Sequence, residues 1–256
     1  FYQDQLLKNQ EGEIQQFISL GKLRSSKISI PTKKDELTKI ISILVDIEKY
    51  INLFRKLLEK KINIHNIIKK KLILGTKRVN GFNKKWVYEK LSDILDYEQP
   101  GKYITKKNEF DAHGRTPILT ANKAFILGYT NEKDNLYKLY PVIIFDDFTT
   151  DTKFVNFPFK VRSSALKILK PKKTNIDLYY IFNLMKFINF SMQDHKRYWI
   201  SEYQKIICKI PDFEEQKKIS SILQESQKEI QFMKIKLNKI INIQKNLNNN
   251  LLSGKL

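Results

Sequence analysis

Cysteine occurs once in 256 residues, as Cys208, which excludes an internal disulfide framework and a thiolate-built zinc site. The three histidines, His65, His113 and His195, lie far apart and form no metal-ligand spacing. Nothing approaches the run of ~18 apolar residues that a membrane-crossing helix requires. The opening residues, FYQDQLLKNQEGE, lack a basic-then-apolar signal pattern and an initiator Met. The expectation is a soluble protein of a reducing, cytoplasmic compartment with no membrane partner, whose sequence starts as if cut from something longer. Catalytic signatures are missing too. Neither a G-x-G-x-x-G nor a G-x-x-x-x-G-K loop occurs. The Asn/Asp-Pro-Pro-aromatic tetrapeptide that holds a flipped base in amino-methyltransferases is also absent. Acidic residues are scarce: 27 stand against 47 basic ones, for a net charge of +20 and a pI near 9.7. That balance favours a polyanionic partner, nucleic acid being the usual one. Arginine is scarce as well, with Arg24, Arg55, Arg78, Arg115, Arg162 and Arg197 the six among the 47. Lys, Asn and Ile in joint abundance are also what A/T-rich codon usage produces, so charge carries only part of the argument.

What is present, first of all, is an internal repeat. One copy runs from Ile30 to Gly75 and the other from Ile210 to Gly254. After a one-residue slip near the start, Ile40 matches Ile219, Ser42-Ile43-Leu44 matches Ser221-Ile222-Leu223, and Ile62-Asn63-Ile64 matches Ile241-Asn242-Ile243. Both copies read as helix. Each opens on a proline followed by a candidate N-cap, Thr32 or Asp212, with Asp35 or Glu215 three residues on, and each closes on a glycine suited to a C-cap. Each also carries a heptad seam. The first is Ile40, Leu44, Ile47, Ile51, Phe54, Leu58, Lys61, His65, Ile68 and Leu72. The second is Ile219, Leu223, Ser226, Ile230, Met233, Leu237, Ile240, Gln244, Leu247 and Leu251. Spacings of three and four alternate throughout, so each helix must bury a narrow stripe against another helix. A helix of ~40 residues is about 60 Å long, and the other copy is its cheapest partner. Lys61, His65 and Gln244 are polar seam positions that would fix register, and His65 is also a candidate pH sensor.

Between the helices the composition changes. From about Phe82 to Ile210 aromatics are dense and most prolines occur. KWVYEKLSDIL reads as a short helix or turn after a Trp. TPILTANKAFILGYT, YPVIIFDDF and FVNFPFKVRSSALKILKP read as strands, NIDLYYIFNLMKFIN as a helix packed on them, and QKIICKIP as a short strand leading into the second long helix. The predicted fold class is α+β: a globular domain over 82–210, flanked by long helices over 31–76 and 211–256 that form an antiparallel coiled coil. Residues 1–30 end GKLRSSKISIP, which resembles the end of the middle domain, YQKIICKIP, and they read as the tail of a first globular domain.

The order tail, long helix, globular domain, long helix resembles the specificity subunit of Type I restriction–modification enzymes. The residues that carry the resemblance are Pro211, Glu215-Gln216 and Ile219, then Leu251-Leu252-Ser253-Gly254-Lys255-Leu256 at the end of the second helix. In the middle domain they are Trp86, Leu91-Ser92-Asp93-Ile94, Val142 to Asp147, and Ser163-Ser164-Ala165-Leu166. The resemblance implies a non-catalytic, sequence-specific reader whose middle domain is a target-recognition domain for one half of a bipartite site in double-stranded DNA. It implies partner subunits as well: methyltransferase (modification) subunits using S-adenosylmethionine, and a restriction subunit using ATP and magnesium. None of those cofactors is expected in this chain. The rival reading is a coiled-coil interaction adapter with a globular head and no specific DNA reading.

Three segments combine the donors that read base edges and grip phosphates. They are Gln99 to Tyr103, Thr149 to Lys153, and the run His195-Lys196-Arg197-Tyr198-Trp199. The candidate DNA contacts are Lys196, Arg197, Tyr103, Thr150 and Lys153. Arg162 is a candidate phosphate clamp or a structural residue, and Trp199 a core residue. Asp146-Asp147, at a strand end, is the one carboxylate pair that a metal-dependent nuclease could use. The stronger reading of the pair is a turn-former that orders the Thr149-Thr150-Asp151-Thr152 loop. No catalytic or metal-ligating residue is assigned.

Overall fold

The computed structural model describes residues 17–25, 32–106, 111, 114–121, 124–192 and 196–252. Most of the expected tail of a preceding domain lies outside them, as do His113, His195 and Gly254; a short helix, α1 (Leu20–Ser25), falls within that tail. The long helices are α2 (Lys34–Ile73) and α6 (Phe213–Leu252). Two compact units are distinguishable, one comprising residues 1–65 and 226–256, the other residues 66–225.

In the first unit the two helices are antiparallel. His65 Nδ1 lies 2.9 Å from Ser226 Oγ, Lys61 pairs with Glu229 at 2.7 Å, and Lys236 stands over the Phe54 ring, so descending numbers on one helix meet ascending numbers on the other. Ile51, Leu58, Ile230 and Leu237 form the buried centre, with Ile47, Phe54, Ile62, Met233, Ile240 and Ile241 packed against it. These are seam positions except Ile62 and Ile241, which broaden the stripe. Ile40 and Leu44 are half-buried beyond that centre. The polar seam position His65 is buried and hydrogen-bonded, which fixes register at the level of Ser226.

In the second unit the main sheet has the order β2-β8-β5-β6 and is antiparallel: β2 is Leu95–Glu98, β8 Leu166–Pro171, β5 Val142–Asp146 and β6 Thr152–Val155. The unbroken apolar run of β5 follows from burial on both faces. Ile143 and Phe145 enter one core and Val142 and Ile144 the other. The first core is closed by α4 (Leu178–Met185), Trp86, Trp199 of the single-turn helix α5 (Tyr198–Ser201), Tyr203 and both long-helix ends. The second lies against a smaller sheet, β4-β3-β7 (Ile126–Thr130, Thr116–Leu119, Lys160–Val161), in which β3 and β7 run parallel. A third pairing joins β1 (Val87–Lys90) to β9 (Ile207–Ile210). KWVYEKLSDIL therefore splits into β1 and a single helical turn, α3 (Leu91–Ile94).

Three expectations need correction. Ile219 and Leu223 are buried, but together with Leu72 and Ile73 they belong to the main core of the second unit, where they meet sheet and α4 residues. A heptad pattern reports burial and does not distinguish a helix neighbour from a sheet. Ile68 is 41% exposed, whereas Leu72 and Ile73, a turn further on, are buried in that core. Thr32 is not the N-cap of α2: helix begins at Lys34, and the Lys33 carbonyl accepts the first helical bond, from Leu37 N. Asp212 does cap α6, its Oδ1 accepting from the backbone N–H of Glu214 and Glu215.

The junction of the long helices with the domain is built on Glu215, which is fully buried. It accepts Arg78 Nε at 2.7 Å, Arg78 Nη2 at 2.6 Å and Trp86 Nε1 at 3.1 Å. Gly75 ends α2 at φ +69°, and a Cβ there would stand 2.8 Å from the Trp86 ring, so both the backbone and the indole demand glycine. Next to Glu215, Gln216 accepts from Asp177 N and donates to the Pro211 carbonyl, while Asp177 caps α4 and accepts from Ser220 Oγ.

Leu58→Asp combined with Leu237→Asp places two uncompensated charges in the interhelical centre. The expected result is a loss of about 4 kcal/mol or more and a drop in helicity, read by circular dichroism during urea unfolding. A double variant with native helicity and an unchanged midpoint would refute the pairing.

Candidate nucleic-acid interface

The site grows from the end of β5. Asp146 and Asp147 are both buried there, and neither carboxylate is idle. Asp146 accepts from Phe148 N at 2.9 Å, from Thr149 N at 3.4 Å and from Thr149 Oγ1 at 2.5 Å. Its carbonyl takes Thr150 N, and its own N–H donates to Asp151 O. These bonds fold Phe148–Asp151 into a tight turn and hold Thr150 at φ +57°, a left-handed conformation uncommon for a β-branched residue. Asp146 alone orders the loop, a role that the sequence assigned to both members of the acidic pair.

Asp147 works in the other direction. Its carbonyl accepts Tyr198 N at 2.9 Å, its Oδ1 accepts Trp199 N at 2.8 Å, and its Oδ2 lies 3.1 Å from Lys167 Nζ. Lys167 and Asp147 are each 1% exposed. The Lys167 ammonium also donates to Gln99 Oε1 at 3.0 Å and faces the Tyr97 ring. One buried ion pair thus touches two of the three segments that the sequence picks out, Gln99–Tyr103 and the 196–199 run, and the third, the 149–153 loop, is held by the adjacent Asp146. At such burial the pair is held by hydrogen bonds, because unpaired charge there is costly.

Around this anchor the candidate side chains differ in freedom. Arg197 is exposed, with its guanidinium 5.9 Å from the Phe148 ring, which brings it to the 149–153 loop. Lys196 pairs with Glu202 at 2.6 Å and lies over Tyr198. Lys153 and Lys186 both grip Asp151, at 2.7 and 2.6 Å. Partial burial pushes the Asp151 carboxyl upward, but those two hydrogen bonds outweigh it and hold it at about 2. Because that value lies below the ordinary carboxylate range, the clamp is intact above that range and is lost as pH falls through about 2. Tyr103 donates to Glu98 Oε1 at 2.7 Å and stands edge-on to Tyr137; burial, then the Glu98 bond, raises its phenol to about 12. Its hydroxyl is already committed, unlike the Arg197 guanidinium. Arg162 is half-buried and its N–H donates to Leu119 O. Trp199 is fully buried against Phe145, a core residue as the sequence indicates.

Lys167 and Lys186 were not singled out from the sequence. A signal for Lys167 existed: a lysine inside ALKIL, a strand apolar on both sides, must find an anion. The same holds for Lys160, fully buried, which pairs with Glu132 at 2.5 Å, while Thr105 Oγ1 donates to the other oxygen of that carboxylate at 2.6 Å. A cleft of about 240 Å³ lies beside the loop, lined by residues 149–152 with Met185, Lys186, Ile188, Phe190 and Tyr203. Among the described residues no group of three His, Cys, Asp or Glu could hold a metal, and no helix is long and apolar enough to cross a membrane.

A sheet covered on both faces, with hydroxyl-rich and basic loops, in a chain that also holds two paired long helices, fits a DNA-specificity module. Residues 83–242, more than half the chain, match the family model of the Type I restriction modification DNA specificity domain, and the chain belongs to that family. Over 141 residues it is 43% identical to the Type I restriction enzyme EcoR124I/EcoR124II specificity subunit of Escherichia coli. That alignment covers 53% of this chain but only 34% of the relative, about a third of its length. Among solved structures, the Type I restriction–modification S subunit of M. genitalium superposes with a TM-score of 0.67 at 15% identity, covering 98% of this chain and 69% of that one. The HsdS subunit of Thermoanaerobacter tengcongensis gives 0.52 at 11%, covering 100% and 68%. A chain solved to explain complex assembly and conformational transition of the type I R-M system gives 0.60 at 12%, covering 100% and 69%. At these identities the likeness is one of fold.

Removing one member of the buried pair, by Lys167→Met or Asp147→Asn, should cost about 3–5 kcal/mol, and the double variant much less than the sum. Urea unfolding of the three variants measures this; strictly additive losses would mean that the two side chains are not coupled.

Proposed function

We propose that this chain is a non-catalytic reader of double-stranded DNA whose domain over residues 82–210 recognises one half of a bipartite target. The observation that carries the reading is the anchoring of Gln99 and the 196–199 run on the Lys167–Asp147 pair, beside the 149–153 loop that Asp146 holds. Rigid anchoring of loop bases with exposed donors at their tips is what base readout requires. Family membership supports the same reading. The long helices offer the landing surface for methyltransferase (modification) subunits and a restriction subunit, in the cytoplasm. The chemistry then belongs to those partners, with S-adenosylmethionine, ATP and magnesium as their cofactors. In this chain Asp146 and Asp147 are committed to backbone N–H groups, Thr149 and Lys167, which supports assigning it no catalysis.

Within the reader, Arg197, Lys196, Lys153, Thr150 and Tyr103 are the proposed contacts, and Arg197 leads because its guanidinium is exposed beside the loop. Lys196 must first leave Glu202, so it contributes less.

Filter binding on mixed duplexes at rising salt should show sequence preference that persists while affinity drops. If Arg197 reads a guanine, Arg197→Ala should cost about 1–3 kcal/mol on the selected target and almost nothing on scrambled duplex. If Lys196 and Arg197 only hold phosphates, the double alanine variant should weaken all sequences alike and flatten the salt slope by about two. Failure to bind any duplex would favour the adapter reading. The purified chain should leave DNA uncut and unmethylated; magnesium-dependent cleavage that disappears in Asp146→Ala would overturn the non-catalytic assignment.

A further inference from the structure

From Lys69 to Lys85, seven of 17 residues are basic, and no acidic residue occurs between Glu59 and Glu89. The structure draws this stretch together at the end of α2. Lys77 N donates to the Lys71 carbonyl, Phe82 N to the Val79 carbonyl, and Arg78 Nη2 to the Lys84 carbonyl at 3.0 Å, with Gly81 turning at φ +88°. Arg78 is spent on Glu215. Lys70, Lys71, Lys77, Lys84 and Lys85 are exposed, and none forms an ion pair with a described carboxylate. At the other edge, Lys69 lies 5.9 Å from the Phe187 ring, beside Lys186, the residue that clamps Asp151 of the candidate loop. Burial and then the like charge of Lys186 hold the Lys69 ammonium below its usual range. Apart from Arg78 and Lys186, like charges are thus gathered here without a counter-ion among the described residues, and each repels the next.

We propose that this collar over residues 69–85 is a sequence-independent binding surface for the phosphate backbone of duplex DNA, extending the candidate interface beyond the recognition loops to the root of the domain. The inference rests on the DNA-reading function proposed above. Two observations favour phosphate over an acidic protein surface. The exposed basic side chains are all lysine, which protein–protein interface centres avoid, whereas phosphates are gripped by such mobile point charges. The collar also belongs to the same unit as the recognition loops, through Lys69, Phe187 and Lys186.

The test is fluorescence anisotropy of the full chain on a labelled duplex of random sequence, over a salt series. Lys77→Gln, Lys84→Gln and Lys85→Gln are combined in one variant; their side chains take no part in the collar's backbone bonds, and a thermal melt checks that the fold is kept. A control variant combines Lys33→Gln, Lys34→Gln and Lys39→Gln, equal in charge but placed at the start of α2. The expected result is a log–log salt slope lower by about two to three for the collar variant, with affinity falling on the order of tenfold at low salt on every sequence, and no change for the control. Equal effects in both variants would reduce the collar to net charge, and no effect in either would remove it; both overturn the inference while leaving DNA reading intact. Competition by polyglutamate as effective, charge for charge, as unlabelled duplex would assign the collar to an acidic protein partner and overturn it as well. A wild-type chain that binds no duplex would bring down the proposed function, and this inference with it.

Discussion

A carboxylate cannot be taken out of water without donors to replace it, and the architecture around Glu215 is the answer to that constraint. The three donors come from Arg78, just past the end of α2, and from Trp86, just before β1, while the acceptor sits in the first turn of α6. Satisfying one buried charge therefore fixes where one long helix stops, where the domain begins and where the other long helix starts. Arg78 also lies over the face of Trp86, whose ring lies against the Gly75 backbone. A neutral side chain at 215 would leave the guanidinium and indole N–H competing for water that the core excludes.

The same solution recurs deeper in the domain. Lys167–Asp147 and Lys160–Glu132 are both buried ion pairs, and each joins segments distant in sequence by hydrogen bonds as well as by charge. Such pairs add little net stability over an apolar alternative, yet breaking one leaves the other charge stranded. Their effect is to make one arrangement of the loops much better than its neighbours. That property suits a surface whose donors must stand at fixed positions relative to a ligand.

Much of this was legible in the sequence, and the reasons differ by element. The long helices were readable because a seam repeated over many turns leaves no other period, and Asp212 because a cap is a local event. The β strands stood out through β-branched and aromatic runs. Ile219, Leu223 and Ile68 mark the limit: periodicity tells which face is covered, not what covers it. The three candidate segments were legible by composition, but what anchors them was not, because it depends on Lys167 reaching Gln99 and Asp147, and on Asp146 holding the loop next to it. Glu36 illustrates the same limit. It stands in register with Glu215 in the other copy of the repeat, yet it is exposed where Glu215 is buried.

The pairing of β1 with β9 sets Val87 opposite Ile210, and Trp86 reaches Glu215 just beyond. The chain therefore departs from its helical frame and returns to it at almost the same point in space. A module whose two ends meet can be lifted out and replaced by another of different length and content, provided the substitute brings the same pair of strands and the same indole to the junction. Diversification by exchange of whole cassettes then needs no adjustment in the helices.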